Sequence, residues 1–581
     1  MRLARFLAAT ALALAPVLAA PAFAAGDPPG GAAVMTRGIP SQLDSDQRAG
    51  YAAVFKAIHE QRWADAQIQL TAMKPGPLHS IAAAELYLAK GSPKVDSDPL
   101  LQVLANAPEL PEAPALARIL ASRGVVAPAL PQAQRLIWVN GASTRGRAKA
   151  TKLDLVAADL ALKMQPLIKD DRGAEAQALL EATPNLTPEA QIEWQQRVAW
   201  IYFLQGDDAN ARMMAAKAQI GSGDWAVQGE WVGGLAAWRQ GDCTAASDAF
   251  TAVAARASDI ELRAAGLYWA SRADMKCGKP QLVEGRLKNA AQLDETFYGM
   301  LARQQLGIKE TQRPTDELML ADWDKLQNRP NIRVAAALVE IGETDLADDV
   351  LKQQAKIGPA SEYAALVRLT DTLNLPETLM WLGNNCPQGT TPPTIARFPA
   401  PKWAPDGGWK VDRALVYAHA LQESRFRKDV ISPAGAYGLM QIMPAAAVDY
   451  ARERGITVER TQLALPSVNM AVGQRTLERL STQSFTGGSL IKVMAAYNAG
   501  PVPVAEWNAI VKDGGDPLLY IESIPYWETR GYVTTVMRNY WMYEAKEGRR
   551  ESPSRAALAE GLWPKFPGLP GPSVVRLTAA K

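Results

Sequence analysis

The sequence predicts an all-α protein, and three observations carry the prediction. From about residue 40 to 310, apolar residues recur at intervals of three and four in a stretch rich in Ala, Leu, Gln and Glu, and strand-like alternation is rare. Gly173, Gly206, Gly241 and Gly278 follow one another at 33, 35 and 37 residues, each between two helical patterns where a left-handed C-cap is wanted. From Cys386 to Trp409 the composition breaks sharply, because Pro387, Pro392, Pro393, Pro399 and Pro401 forbid regular helix. The division expected is a signal peptide over 1–24, a superhelix of helix hairpins over 25–310, a helical linker module over 311–396, a separate domain over 397–550 and a Pro-rich tail over 551–581.

Composition narrows the function classes. A chain of 581 residues with 48% apolar and 21% charged residues has the profile of an ordinary globular protein, and a length suited to three or four modules. A net charge of +2 gives no electrostatic reason for a nucleic-acid partner. Three cysteines and three histidines without a CxxC or HExxH spacing argue against a Cys/His zinc site, so neither metal nor organic cofactor is expected.

At the N-terminus, Arg2 and Arg5 precede an apolar run from Phe6 to Ala20, and Ala22-Phe23-Ala24 supplies the small-x-small pattern of a cleavage site. The reading is export with cleavage after Ala24; the alternative is an uncleaved anchor. No cysteine near that site indicates a lipid-anchored form, and no later stretch approaches 18 uninterrupted apolar residues. A mature protein without a stable membrane anchor, outside the cytoplasm, is expected. Export makes Cys243 and Cys277 a candidate disulfide, since they fall at equivalent turns of successive repeats; the alternative is two free thiols, because spacing does not set the Cα separation.

Within the repeats, one unit runs from Glu189 through Trp194, Tyr202 and Gly206-Asp207 to Ala218, the next holds Trp231, Trp238, Gly241-Asp242 and Phe250, and the third Tyr268, Trp269 and Gly278. Large aromatics on the first helix meet small alanines on the second, so each hairpin exposes an apolar face that only a neighbour covers. The period resembles the tetratricopeptide repeat, and a curved stack is the expected outcome. The aromatics serve either as core filler or as a binding surface on the concave side. Asn331 to Ile341 and Thr344 to Gln354, separated by Gly342, continue the helical pattern in the linker module.

In the C-terminal block, Asp412 is a good N-cap for a helix through Leu415, Ala418 and Leu421 that ends near Glu423-Ser424. Residues Ser432 to Gly438 have turn chemistry, and Leu439 to Met443 is a short apolar run stopped by Pro444, which suits the first position of a new helix. Met494 to Asn498 closes another helix before Gly500-Pro501, and Ile521 to Arg530 leads into a last helix through Tyr543. The prolines after Glu551 suggest an extended tail.

Glu423-Ser424-Arg425-Phe426, Gly438-Leu439-Met440-Gln441-Ile442-Met443-Pro444 and Ala496-Tyr497-Asn498-Ala499-Gly500-Pro501 together resemble the signature of soluble lytic transglycosylases with a goose-type lysozyme-like domain. The segment Ile524 to Val533 resembles a fourth motif of the family's large periplasmic branch. That branch places a helical superhelix, often a closed ring, and a linker ahead of a catalytic domain with a small β-hairpin. The resemblance therefore implies a periplasmic enzyme whose partner is the glycan strand of peptidoglycan, with cell-wall assembly or secretion machinery as a second class of partner.

Cleaving a glycosidic bond requires a proton on the leaving oxygen, so a carboxyl must stay protonated near neutral pH, which apolar burial favours. The resemblance implies that Glu423 is that carboxyl, with Leu439, Met443 and Tyr497 as candidate walls. Retaining and inverting mechanisms also demand a second carboxylate at a set separation. Within the signature none lies near Glu423: Asp429 falls six residues on and Glu528 belongs to the fourth motif. The resemblance supplies an answer, in which the substrate's own 2-acetamido oxygen replaces the protein nucleophile and Glu423 acts first as acid and then as base, giving 1,6-anhydromuramoyl products. It also implies substrate-positioning roles for Ser432, Gln441, Met443, Tyr497, Asn498 and Glu528. Met443 as plain core and Glu528 as a structural partner of Arg530 are the competing readings. His419 shares a helix face with Glu423, but one His and one Glu do not make a metal site; a half-buried, helix-supporting role is expected. Many relatives have Arg-Gln-Glu where this chain has Leu421-Gln422-Glu423, a change that leaves the carboxyl itself in place. A hydrolytic muramidase on the same fold and a peptidoglycan-binding scaffold with a vestigial catalytic domain are the rival functions; the intact Glu423, Gln441 and Tyr497 argue against the scaffold.

Overall fold

The computed structural model describes residues 38–309 and 318–577; the expected signal peptide lies outside the described residues. The architecture is all-α, with 27 α-helices and only short strand pairings among the described residues.

The hairpins begin and end where local chemistry demands. Asp154, Thr187, Asp207, Asp242 and Asp259 each accept the N3 backbone N–H of the helix they open. Gly206, Gly241 and Gly278 sit at φ +79°, +79° and +68°, the left-handed turn that separates the two helices of each hairpin. Gly173 differs from expectation. It is the first residue of the helix Gly173–Glu181, and the left-handed position belongs to Asp171, whose short polar side chain tolerates φ +50°.

Hairpin stacking buries the aromatics of the repeats. Trp231 lies 5.2 Å from Phe250 and edge-to-face 6.2 Å from Trp269, and all three are shielded from solvent. The structure joins Cys243, at the start of the helix Cys243–Arg256, to Cys277, the C-cap of Ile260–Lys276, with 5.6 Å between Cα atoms; Cys386 is a buried free thiol.

The apolar cores cut across the division drawn along the chain. Helices between residues 39 and 120 share one core with those between 323 and 396, so the described part of the expected linker module completes the N-terminal helices instead of only bridging. An antiparallel pairing of Leu136–Trp138 with Asn385–Pro387 ties the chain just beyond the first of these segments to the second. Helices from 160 to 302 share the other core with the C-terminal region. Buried polar contacts seal that second junction: Arg145 pairs with Glu522 at 2.6 Å, Tyr298 donates to Glu522 at 2.8 Å, and Arg538 reaches Glu261 at 3.2 Å.

The small β-hairpin expected in the C-terminal domain is reduced to the antiparallel bridges Ile431↔Tyr437 and Tyr437↔Ile442. One further expectation needs correction. The tail is docked, not extended, through residue 577. Pro553 opens the helix Pro553–Ala559, and the buried Trp563 and Phe566 anchor the chain beyond that helix, with Trp563 Nε1 donating to the Gly515 carbonyl at 2.9 Å. The tail's prolines punctuate a path that its apolar residues fix.

Candidate active site

The helix Arg413–Ser424 is capped by Asp412, whose carboxylate accepts the Ala414 N–H at 3.0 Å, and it packs on the long helix Trp527–Lys546. Arg425 and Phe426 then both adopt left-handed conformations, φ +54° and +61°, reversing the chain immediately after the helix. Glu423, the penultimate helical residue, is thereby held at a helix end, partly covered.

Its Oε1 accepts a 2.6 Å hydrogen bond from the Tyr532 hydroxyl, and the same hydroxyl lies 2.7 Å from His419 Nδ1. His419 is fully buried, not half-buried as expected, and among the described residues its Nε2 has no hydrogen-bond partner. Burial pushes its pKa down to about 3, so it is a neutral imidazole. While Tyr532 donates to Glu423, His419 Nδ1–H supplies the donor to Tyr532. Burial pushes the Glu423 carboxyl up to about 7; the Tyr532 hydrogen bond opposes this and the Glu528 charge adds to it. Tyr532 and Tyr497 are both pushed well above the phenol range by burial, so both remain donors.

Tyr497 donates to the Met440 carbonyl at 2.8 Å, and its ring lies 4.7 Å from that of His419. It contributes to the wall beside Glu423, while Tyr532 makes the hydrogen bond. Tyr532 and His419 are the residues that sequence reasoning missed as partners of Glu423. His419 stands one turn before the acid, and that spacing was its signal; Tyr532 stands four residues beyond Glu528 in the fourth motif and is joined to Glu423 only by the helix crossing.

The loop carrying the second motif is internally braced. Gln441, at φ +48°, donates its side-chain amide to the Val430 carbonyl at 3.1 Å and the Gly438 carbonyl at 2.9 Å, so that nitrogen is already committed to backbone. Buried Asn469 accepts from Met440 N–H and donates to the Tyr437 and Leu463 carbonyls. Gly438 is required beneath it: at φ +73°, a Cβ there would meet Asn469 Nδ2 at 2.3 Å. Ser432 Oγ accepts the Ala436 N–H at 3.0 Å and closes the turn. Leu439 is core, whereas Met443 is 46% exposed at the N-cap of Pro444–Arg454, against its reading as plain core.

Asn498 accepts from the Thr529 hydroxyl at 2.6 Å, and Glu528 is exposed in the first turn of Trp527–Lys546. Glu528 does not pair with Arg530, whose Nε and Nη2 donate to the Ile524 carbonyl. Both Asn498 and Glu528 line a cavity of about 590 Å³ shared with the superhelix. Among the described residues no second carboxylate hydrogen-bonds with Glu423, and no three His, Cys, Asp or Glu side chains converge as a metal-ligand set. One proton-holding carboxyl with a phenol donor beside it suits general acid–base chemistry.

Residues 405–518 match the family model described as the Transglycosylase SLT domain. The soluble lytic murein transglycosylase of Salmonella typhimurium is 35% identical over 158 residues, 27% of this chain and 24% of the relative. That of Escherichia coli K12 is 38% identical over 132 residues, 22% and 20% of the two chains. The matched stretch thus spans about a quarter or less of the length of these relatives. The fold is similar to that of an inactive mutant of the lytic transglycosylase Slt from Pseudomonas aeruginosa, with a TM-score of 0.51, 19% identity and 87% of each chain covered. It is also similar to the 70 kDa soluble lytic transglycosylase of Escherichia coli, with a TM-score of 0.50, 19% identity, 90% of this chain and all of the other. The similarity of fold therefore extends well beyond the matched sequence.

Proposed function

We propose that the protein is a periplasmic murein lytic transglycosylase that cleaves the β-1,4 bond between N-acetylmuramic acid and N-acetylglucosamine. In this reading residues 1–24 export the chain, the helices to residue 396 frame the substrate, residues 397–550 perform the chemistry and the tail braces them. The observation that carries it is the state of Glu423: a helix-end carboxyl whose pKa is pushed up to about 7, with a phenol donor on one oxygen. A group with that pKa gives and takes a proton with similar ease near neutral pH.

The steps follow from having one carboxyl. Glu423 delivers its proton to the leaving oxygen as the bond from muramoyl C1 breaks, and the substrate's acetamido oxygen bonds to C1 in its place. Glu423, now anionic and steadied by the Tyr532 hydroxyl, takes the proton of the muramoyl C6 hydroxyl. That oxygen attacks C1, displaces the acetamido oxygen and closes the 1,6-anhydro ring, and Glu423 is again protonated. An intramolecular hydroxyl has an effective molarity that reaches roughly 10⁵ M in well-oriented cases, enough to outcompete water in a covered site.

The test is Glu423→Gln, which keeps the acceptor for Tyr532 and removes the exchangeable proton. Loss of general acid catalysis costs about 10²–10⁴-fold in rate, so release of soluble fragments from peptidoglycan sacculi should fall by at least that factor while the circular dichroism spectrum is unchanged. Retained release would remove Glu423 from the chemistry.

A further inference from the structure

Hydrogen bonding behind Glu423 continues one step past Tyr532, and the group at its far end has no other partner. The Tyr532 hydroxyl lies 2.6 Å from Glu423 Oε1 and 2.7 Å from His419 Nδ1, and the imidazole is fully buried. Its Nε2 is buried too, and among the described residues nothing hydrogen-bonds to it. The ring packs against those of Tyr497 and Tyr532, with centres 4.7 Å and 5.8 Å away. At the near end, Glu423 Oε2 accepts no hydrogen bond among the described residues.

A hydroxyl carries one proton, so the imidazole tautomer fixes the order of donors along this chain. With the proton on Nε2, His419 would bury an N–H that has no acceptor, and Nδ1 would take the Tyr532 proton. Oε1 would then face a bare phenol oxygen, so Glu423 would have to keep its own proton on Oε1, and its anion would have no donor. With the proton on Nδ1, that N–H meets the phenol oxygen and the Tyr532 proton points at Oε1. One lone pair, on Nε2, is then all that goes unmatched, which is the smaller loss. The second order also serves both charge states of the carboxyl: Tyr532 donates to Oε1 whether Oε2 holds a proton or has given it up, so no group turns as the proton leaves. An imidazolium with both nitrogens protonated is not available, because burial pushes the His419 pKa down to about 3.

We propose that His419 is a positioning residue for the acid: by carrying its proton on Nδ1 it commits the Tyr532 hydroxyl to Glu423 Oε1 and so keeps the carboxyl's own proton on Oε2, the oxygen left for the glycosidic bond. The inference rests on the murein reading above and adds to it which oxygen works. The ionisable groups that act on Glu423 are Glu528 and Tyr532 from the helix Trp527–Lys546 and Tyr497 from Leu490–Ala499. His419, neutral and on the acid's own helix, acts only through Tyr532.

Long-range proton–nitrogen correlation spectra of the full chain labelled with [15N]histidine read the tautomer directly; the chain has three histidines, and the signal missing from His419→Asn assigns the third. His419 should be neutral with its proton on Nδ1 from pH 5 to pH 9. In pH–rate profiles, His419→Phe, which keeps a ring but removes the donor, should lower kcat by about tenfold, the factor that one hydrogen bond supplies, with KM little changed. Its alkaline limb should move to higher pH, because a hydroxyl without the Nδ1–H behind it is a weaker donor to the anion. His419→Asn, whose amide nitrogen falls near the place of Nδ1, should restore most of both. In a Tyr532→Phe background, His419→Phe should move the limb no further. A proton on Nε2, which the native spectrum reveals whether or not the variants fold, would overturn the proposal, as would equal damage from Phe and Asn or a limb shift that persists without the Tyr532 hydroxyl. Strand cleavage by a chain whose His419 carries its proton on Nε2 would sink the positioning role and leave the enzyme reading; the Nδ1–H form in a chain that cleaves no strand would leave the order of donors and sink the enzyme reading.

Discussion

Holding an ionisable carboxyl in a covered site destabilises the fold by an amount that one substitution exposes. Glu423 is pushed from an ordinary 4.5 up to about 7, so its anion is disfavoured in the folded protein. Each tenfold change in a proton equilibrium is about 1.4 kcal/mol, which makes the full penalty about 3 kcal/mol, and partial solvent access to the side chain lowers it to about 2–3 kcal/mol. Because the folded state holds this proton to higher pH than the unfolded chain, stability contributed by Glu423 is greatest below pH 4.5, declines as pH rises to about 7 and is level above that. Glutamine cannot ionise and escapes the decline. Denaturant unfolding of wild type and Glu423→Gln, compared at equal slope, should show no pH-dependent advantage for the variant at pH 4 and a gain of about 2–3 kcal/mol at pH 8. A difference that stays flat from pH 4 to 8 would refute the claim that burial holds the proton on Glu423.

The same contacts have other consequences. Turnover should fall as pH rises through about 7, where the acid is lost, and Tyr532→Phe should move that limb to higher pH, because the hydroxyl's hydrogen bond lowers the Glu423 pKa; an unmoved limb in a pH–rate profile would count against the contact. Glu522→Ala leaves buried Arg145 and the Tyr298 hydroxyl without their acceptor and should cost about 3–5 kcal/mol in denaturant unfolding. Cys243→Ser with Cys277→Ser opens a 34-residue span and should lower stability by about 2–4 kcal/mol while kcat is retained, since the bond lies in the superhelix; unchanged unfolding would show that the cross-link constrains nothing.

Local chemistry decided which features were legible in the sequence. Asp412 and Pro444 open their helices as expected because a cap and a first-turn proline act within a few residues. The glycine period led to Gly206, Gly241 and Gly278, but Asp171 replaced Gly173, since an aspartate can also occupy the left-handed turn. Contacts made by tertiary crossings were not legible. Tyr532 reaches Glu423 across 109 residues, and no spacing within either helix points to it. Gln441 looked available to a substrate because its amide is polar, yet the loop's own carbonyls take up its nitrogen. Trp563 and Phe566 read as part of an extended tail because prolines surround them, while burial of those two rings decides where the tail goes. The sharing of one core between the first helices and residues 323–396 likewise depends on packing between segments about 200 residues or more apart.

The most direct measurement of the central claim is mass spectrometry of the fragments that the mature protein releases from purified peptidoglycan sacculi, beside Glu423→Gln. Muropeptides lighter by one water than their hydrolytic counterparts, produced by the native chain and missing with the variant, are the predicted result. Fragments ending in a free reducing sugar would make the protein a muramidase, and anhydro products that persist in the variant would take the proton transfers away from Glu423.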